Sequence, residues 1–148
     1  MRFQFTVDGE ALVDRTLLRW SDRVHNARPA FEAIADQFAT AEMAHFASNG
    51  SGKWAALSPR YAAYKAARFP GRPTLVRAGD LRNTLTRRPL GVERIADNSL
   101  EVGTNDPKAL FHQKGTPKMP ARPVIKLNDR TKKQMAKTLQ RYLATGAI

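Results

Sequence analysis

The segment from Pro29 to Asn49 constrains the fold most, because its apolar residues recur at spacings of three and four. That spacing places them on one face of an α-helix. A proline is typical of a first helical turn, and Asn49-Gly50 is typical of a helix end. We therefore predict a long helix here, with an inward face made of Phe31, Ile34, Ala35, Phe38, Ala41 and His45.

Helical and strand patterns alternate along the rest of the chain. Alternating apolar residues predict a strand over 2–7, and short runs with apolar residues predict strands over 85–89, 91–95, 99–103 and 124–127. A turn at 96–98 pairs the strands over 91–95 and 99–103 as a hairpin. Helices are predicted over 10–25, 58–69, 81–85, 106–112 and 128–146. The last helix should direct Met135, Leu139, Tyr142 and Leu143 inward. The expected fold is α+β: an N-terminal strand and helices packed on a small antiparallel sheet, with a C-terminal helix.

The size of the chain favours one domain over residues 1–148. Its 148 residues are 42% hydrophobic and 26% charged, which suits a single globular core. Within it we expect a flexible loop at 48–53 and an extended Pro-rich arm at 114–123. The absence of cysteine excludes disulfides and thiolate metal sites. Neither a signal-peptide core nor an apolar run of 18 residues occurs, so we expect a protein made and kept in a cytoplasm.

The charge of the chain suggests the kind of partner. Lys and Arg number 25 against 13 Asp and Glu, a net charge of +12, which attracts phosphate or acidic protein surfaces. The cations concentrate in 77–88 and 126–141, which are either solvated surfaces or strips that contact DNA. The aromatic residues typical of single-strand binders do not interleave with them. The DNA-facing candidates are Arg82, Arg87, Arg88, Lys133 and Lys137.

The residues offer no catalytic, cofactor or metal site. His25, His45 and His112 lack the spacing that puts two metal ligands on one helix face. The segment Gly50-Ser51-Gly52-Lys53 lacks the upstream glycine and the preceding strand of a phosphate-binding loop. We interpret His45 as a packed or hydrogen-bonded core histidine. His112 could be a general base or an interface hydrogen-bonder, and we favour the second because no Ser, Asp or Glu completes a catalytic set nearby.

Several short elements occur in a characteristic order from Phe38 to the C-terminus. They are Gly52-Lys53-Trp54-Ala55-Ala56-Leu57-Ser58-Pro59, Lys65, Leu75-Val76-Arg77-Ala78-Gly79-Asp80-Leu81-Arg82, Val102-Gly103-Thr104-Asn105, Phe111-His112-Gln113-Lys114-Gly115 and Pro120-Ala121-Arg122-Pro123. In this order the chain resembles the phage virion morphogenesis and tail-completion family, small proteins of the head–tail junction. Val124-Ile125-Lys126 departs from it, because an aromatic residue and a glycine are more usual there.

The resemblance implies a structural, non-enzymatic subunit of the virion neck that completes the tail or joins it to the head. Copies would form a homo-oligomeric ring through the arms 49–73 and 114–123, next to connector and tail-tube proteins, with non-specific contact to DNA in the channel. Assembly would occur in the host cytoplasm. The alternative is a free, basic nucleic-acid-binding protein.

We predict that the motif residues support the fold or form interfaces. Trp54 and Leu57 are expected to anchor the loop, and Gly79 and Gly103 to allow tight turns. The full set of interface or scaffold candidates is Trp54, Leu57, Ser58, Pro59, Gly79, Leu81, Gly103, His112, Gln113, Gly115, Arg122 and Pro123.

Overall fold

The computed structural model describes residues 10–148, with side chains from Asp14 onward. This part of the chain is α+β, as predicted, with six helices and one two-stranded antiparallel sheet. The strand predicted over 2–7 lies outside the described residues. In chain order the elements are α1 (Glu10–His25), α2 (Arg28–Ala47), α3 (Pro59–Arg68), α4 (Asp80–Thr86), β1 (Val92–Ile95), β2 (Leu100–Gly103), α5 (Lys108–Lys114) and α6 (Asp129–Thr145).

Helix α2 is the centre of the fold. It packs against α4, α6 and both strands, while α1 packs against α6. Its buried face differs by part of a turn from the predicted one, because Phe46 and Glu42 lie inside while Ala41 and His45 are only half-buried. Each large apolar side chain buried in this way contributes about 1.5–3 kcal/mol. The core cluster consists of Phe38, Ala39, Phe46, Trp54, Val76, Leu81, Leu85, Leu90 and Val124.

The predicted hairpin is confirmed, and backbone contacts fix it to the helices. Val92 pairs with Gly103 and Ile95 with Leu100. The N–H of Ala27, between α1 and α2, donates to the Asp97 carbonyl in the hairpin turn at 2.7 Å. Arg28 donates to the Ile95 carbonyl at 3.2 Å. The hairpin is therefore held at the N-terminal end of α2.

The strand predicted over 85–89 is wrong. Helix α4 continues to Thr86, and Leu85 is fully buried inside the helix. Leu81 and Leu85 are one helical turn apart, so both reach the core face of α2 only if the segment stays helical. Packing against α2 decides between the two patterns.

The strand predicted over 124–127 is also wrong, because this segment pairs with no strand among residues 10–148. Side chains satisfy its backbone instead. Gln113 Oε1 accepts from the N–H groups of Val124 and Ile125 at 2.9 and 3.1 Å, and Gln113 Nε2 donates to the Ile125 carbonyl at 3.0 Å. One amide side chain thus replaces a strand neighbour for two residues.

Loop 48–53 and arm 114–123 contain ordered local turns. In the loop, the N–H of Gly52 donates to the Ser48 carbonyl at 2.8 Å. In the arm, Thr116 and Met119 exchange two backbone hydrogen bonds, so the arm folds back on itself instead of running extended throughout. The flexibility of the loop stays a prediction.

Candidate interaction groove

Residues from separate sequence motifs meet around one concavity, which we call the α3–α5 groove. Its walls are α3, the segment 75–81, α5 and the arm at 118–122, and its volume is about 630 Å³. That size is in the range of sites that enclose a small ligand or a few side chains. The lining includes Leu57, Ser58, Tyr61, Lys65, Leu75, Val76, Arg77, Gly79, Asp80, Leu81, Lys108, His112, Lys118, Met119, Pro120 and Arg122.

Helix α3 places Lys65 in the wall of the groove. The helix starts at Pro59, and the Ser58 side chain caps it by accepting from the N–H of Tyr61 at 3.4 Å. Lys65 is only 5% exposed, and its Nζ donates to the Pro73 carbonyl. Burial lowers the pKa of Lys65 because it disfavours the charged amine. Within residues 14–148, no carboxylate forms an ion pair with it.

Arg122 is the second buried cation of the groove, with 4% exposure. Its Nε donates to the Ala55 carbonyl and its Nη2 to the Ala56 carbonyl, each at 2.7 Å. These bonds fix the arm to the segment that follows Trp54. Both acceptors are neutral, and no ion pair to a carboxylate occurs in the described part of the chain.

His112 lies beside these cations on α5. Its carbonyl accepts from the N–H of Arg122 at 2.7 Å, which joins α5 to the arm. Its Nδ1 is buried and has no hydrogen-bond partner among the described residues. Burial lowers the pKa of His112, and the charge of Arg122 lowers it further. Both effects favour the neutral imidazole.

Gly115 ends α5 and lets the arm turn back. Its φ is +75°, and a Cβ at this position would lie 2.8 Å from the Ala121 nitrogen and 3.0 Å from the Met119 carbonyl oxygen. Only glycine avoids both the strain and the contact. Gly79 meets a similar need before α4, with φ +108°. Gly103 does not: it ends β2, has no positive φ, and a Cβ there would contact nothing, so the tight turn expected at Gly103 is absent.

Trp54 and Pro123 connect the loop, the arm and α2. The indole N–H of Trp54 and Nε2 of His45 both donate to the Pro123 carbonyl, at 2.8 and 2.9 Å. The Trp54 ring meets the rings of His45 and Phe46 edge-on, each with centroids 5.3 Å apart. Leu57 is half-buried in the groove wall, and Leu81 belongs to the core.

The DNA-facing candidates fall into two groups. Arg82 and Arg87 line a small concavity between α2 and α4, and Lys133 and Lys137 are exposed on α6. Arg88 differs, because it forms ion pairs with Glu32, Asp36 and Glu93. These carboxylates offset its charge, so Arg88 holds α2 to β1 and is a poor ligand for phosphate.

Sequence reasoning missed three features. Lys65 was noted only as part of a motif, because nothing in the sequence shows its burial. Glu42 is fully buried on α2, and neither carboxyl oxygen has a hydrogen-bond partner of good geometry among the described residues. Burial raises the pKa of Glu42 to about 8, against a smaller opposing effect of the Lys126 backbone N–H. Large apolar side chains on α1 and α5 are exposed; the spacing predicted the helices but not their partners.

Other kinds of site are not found in the described residues. No group of three or more His, Asp or Glu side chains in this part of the chain could hold a metal ion. No helix among residues 10–148 is long and apolar enough to span a bilayer.

Comparison with known proteins agrees with the order of the motifs. The model of the phage virion morphogenesis family matches residues 8–144. The match extends the resemblance to the segment before Phe38, and it includes all four walls of the α3–α5 groove. The comparisons with curated proteins and with solved structures returned no match. Because the family model covers almost the whole chain, the protein belongs to the phage virion morphogenesis family.

Proposed function

We propose that this protein is a non-enzymatic structural subunit of the phage neck, and that its copies assemble into a ring that completes the tail or joins it to the head. Membership of the family gives the chain a role in the virion or its assembly. The finer proposal depends on one observation, which is that large apolar side chains are exposed on two separate helices.

The first exposed surface is a stripe on α1, which we call the α1 stripe. Leu17, Trp20 and Val24 follow one another at spacings of three and four and are 57%, 50% and 37% exposed. They span about 10 Å of one helix face. A single exposed apolar residue is ordinary, but a contiguous row with a tryptophan at its centre is typical of a protein interface.

The second exposed surface is on α5, where Leu110 and Phe111 are both more than half exposed. A head-to-tail ring needs two different surfaces, because each copy offers one surface to the preceding copy and the other to the next. A two-fold dimer needs only one self-complementary surface. Helix α5 is also a wall of the α3–α5 groove, and two other walls of that groove belong to the arms 49–73 and 114–123, which we predicted as contacts with ring neighbours. The arrangement therefore supports a ring.

Sedimentation velocity and negative-stain microscopy of the purified protein test this proposal. The wild-type chain should form rings, and the double variant Trp20→Ser/Val24→Ser should sediment as a monomer, because it removes most of the α1 stripe. Leu18→Ser is the matched control: Leu18 is equally exposed on α1 but lies about 100° around the helix from Leu17. A wild-type chain that stays monomeric and binds neither tails nor connectors contradicts the proposal.

A second candidate function is nucleic-acid binding, which the exposed face of α6 favours. Arg130, Lys133, Lys137 and Arg141 are all exposed and fall within an arc of about 80°, opposite the face that carries half-buried Met135 and Leu139. They span about 16 Å along the helix. The row is suited to a phosphate backbone inside a channel as well as to a free DNA-binding protein.

The salt dependence of DNA affinity separates these two uses of α6. Each phosphate that is neutralised steepens the logarithmic salt slope by about 0.9. A free DNA-binding protein should retain submicromolar affinity for duplex DNA at physiological salt, and Lys133→Gln/Lys137→Gln should reduce the slope by about two. If the affinity vanishes at that salt, the charge serves assembly or lines a channel.

A further inference from the structure

We propose that the α3–α5 groove binds a short acidic segment of another virion protein, whose carboxylates supply a counter-charge for Lys65 and Arg122. Neither cation pairs with a carboxylate in the described part of the chain. The inference relies on the proposed assembly role only for the choice of a protein as partner. It does not require the chain to form a ring.

The first argument is the unmatched charge of the groove. Lys65 and Arg122 are 5% and 4% exposed, and both donate only to neutral carbonyls in the hydrogen bonds described above. A buried cation is costly unless an anion pairs with it. Lysine has three donors and arginine five, so both keep donors for a ligand. A bound carboxylate would offset the free-energy cost of burying these two cations.

The second argument is the rest of the lining. Lys108, Lys118 and Arg77 add three exposed cations, against a single lining carboxylate from Asp80. Of these three cations, Lys108 pairs with Asp106 at 3.7 Å, and the other two form no ion pair among the described residues. The buried and unpartnered Nδ1 of His112 adds a polar atom that a ligand could satisfy. Charge complementarity therefore favours an anionic occupant.

A second concavity of similar volume does not share this imbalance of charge. A more open depression of about 650 Å³ lies between α2 and the hairpin. Each charged side chain in its lining has an ion-pair partner: Arg94 pairs with Glu101 at 2.8 Å, Arg28 with Glu32 at 4.0 Å, and Glu93 with Arg88, which lies outside the lining. It offers no unmet charge and carries no comparable argument.

The apolar part of the lining favours a protein segment over a nucleic acid. Leu57, Leu75, Val76, Leu81 and Met119 all line the groove beside the cations. Bound nucleic acid is usually held by exposed cations and by aromatic rings on which bases stack, and this lining contains one tyrosine, Tyr61, and no Phe or Trp. Acidic side chains alternating with apolar ones would match both kinds of surface.

Fluorescence anisotropy on the full chain tests the site with a defined probe. The probe is a fluorescein-labelled octapeptide that alternates glutamate with leucine, and its counterpart has lysine in place of glutamate. Measurements at about 0.15 M salt screen exposed charges that lie farther apart than about 8 Å. We expect the acidic peptide to bind and the basic one not to bind.

Variants locate the binding. Lys65→Met should weaken it by about tenfold or more, because a charge-assisted hydrogen bond is lost. Lys137→Met removes the same charge from α6, outside the groove, and should weaken binding less than threefold. If circular dichroism shows that Lys65→Met is unfolded, exposed Lys118 replaces it: Lys118→Gln should weaken binding about threefold, and Lys137→Gln should leave it unchanged.

Three results overturn the inference. The wild-type chain could fail to bind the acidic peptide. Groove and α6 variants could weaken binding equally, which would indicate general charge attraction. A single-stranded oligonucleotide could bind more tightly than the peptide with the same sensitivity to Lys65→Met, which would assign the groove to nucleic acid. None of these results bears on ring formation, which is measured by sedimentation.

Discussion

Replacing Glu42 with glutamine is expected to flatten the decline in stability between pH 5 and pH 8. Glu42 lies in the core on α2, and burial raises its pKa from 4.5 to about 8. Between these two values the folded chain binds a proton that the unfolded chain has released. The free energy of unfolding therefore falls as the pH rises, by up to about 1.4 kcal/mol per pH unit.

The size of the effect follows from the two pKa values. At pH 5 the carboxyl is mostly ionised in the unfolded chain and protonated in the folded chain. This difference lowers the free energy of unfolding by about 1 kcal/mol. At pH 8 the free energy of unfolding is lowered by about 4 kcal/mol, because the unfolded carboxyl is ionised and the folded one is half protonated. The wild-type protein should thus lose about 3 kcal/mol over this range, a large part of the 5–15 kcal/mol typical of a domain. Glu42→Gln has no carboxyl to titrate and should not show this loss.

Urea unfolding at pH 5, 6, 7 and 8 measures the effect, with the fluorescence of core Trp54 as the probe. The informative quantity is the pH dependence of the difference between the two proteins, since a buried amide also needs hydrogen bonds and shifts the whole curve. Glu101→Gln is the control, because the Glu101 side chain is 61% exposed. If wild-type and Glu42→Gln curves stay parallel from pH 5 to pH 8, the reasoning about Glu42 is refuted.

Three further predictions concern the parts that hold the fold together. Arg88→Ala should lower the free energy of unfolding by about 2–3 kcal/mol, because it leaves Glu32, Asp36 and Glu93 without their shared cation. The control is Arg87→Ala, since Arg87 is exposed. Equal losses for the two variants in a urea titration would contradict the ion-pair argument. Arg88 also lowers the pKa of Glu93, so the ionised Glu93 stabilises the fold at pH values above the pKa of the unfolded chain. This stabilisation is lost as the pH falls through the lowered pKa of the folded chain. Because Arg88→Ala removes it, the variant should lose less stability in acid than the wild type does. Phe46→Ala should cost about 3–5 kcal/mol and Met43→Ala less than about 0.5 kcal/mol, because Phe46 is buried and Met43 exposed on the same helix; similar thermal melting points would disprove the burial assignment. Gly115→Ala should destabilise by about 2 kcal/mol more than Gly52→Ala, because both have positive φ but only Gly115 has backbone within 3 Å of the new Cβ; equal losses would show that the arm gives way.

Local sequence patterns were enough to predict the two longest helices and the hairpin. The spacing of apolar residues from Phe31 to His45, with a proline before it and Asn49-Gly50 after it, predicted α2, since these features act within a few residues of each other. The same holds for α6, where Asn128 Oδ1 caps the helix by accepting from the N–H of Thr131 at 2.8 Å. The hairpin was also predictable, because a turn-forming triplet separates two short apolar runs.

The errors occurred where a short segment could satisfy its backbone in more than one way. Val124 to Leu127 has the composition of a strand, but its neighbour is the Gln113 side chain, eleven residues away from Val124 in sequence. Leu85 fits either a strand or a helix by its local spacing, and contact with α2 decides for the helix. No local rule contains these contacts.

The sequence by itself determined the family, the basic charge and the order of the helices, because motif order, composition and periodicity can be read along the chain. Only the tertiary structure decided which charges are paired. It gives Arg88 three carboxylates. Among the side chains from Asp14 onward, it buries Lys65 and Arg122 without a carboxylate partner and Glu42 without a cation. The physical reason is that the energy of a charge depends on its solvation and on neighbours brought together by folding. Folding thus places two buried cations in the wall of the α3–α5 groove.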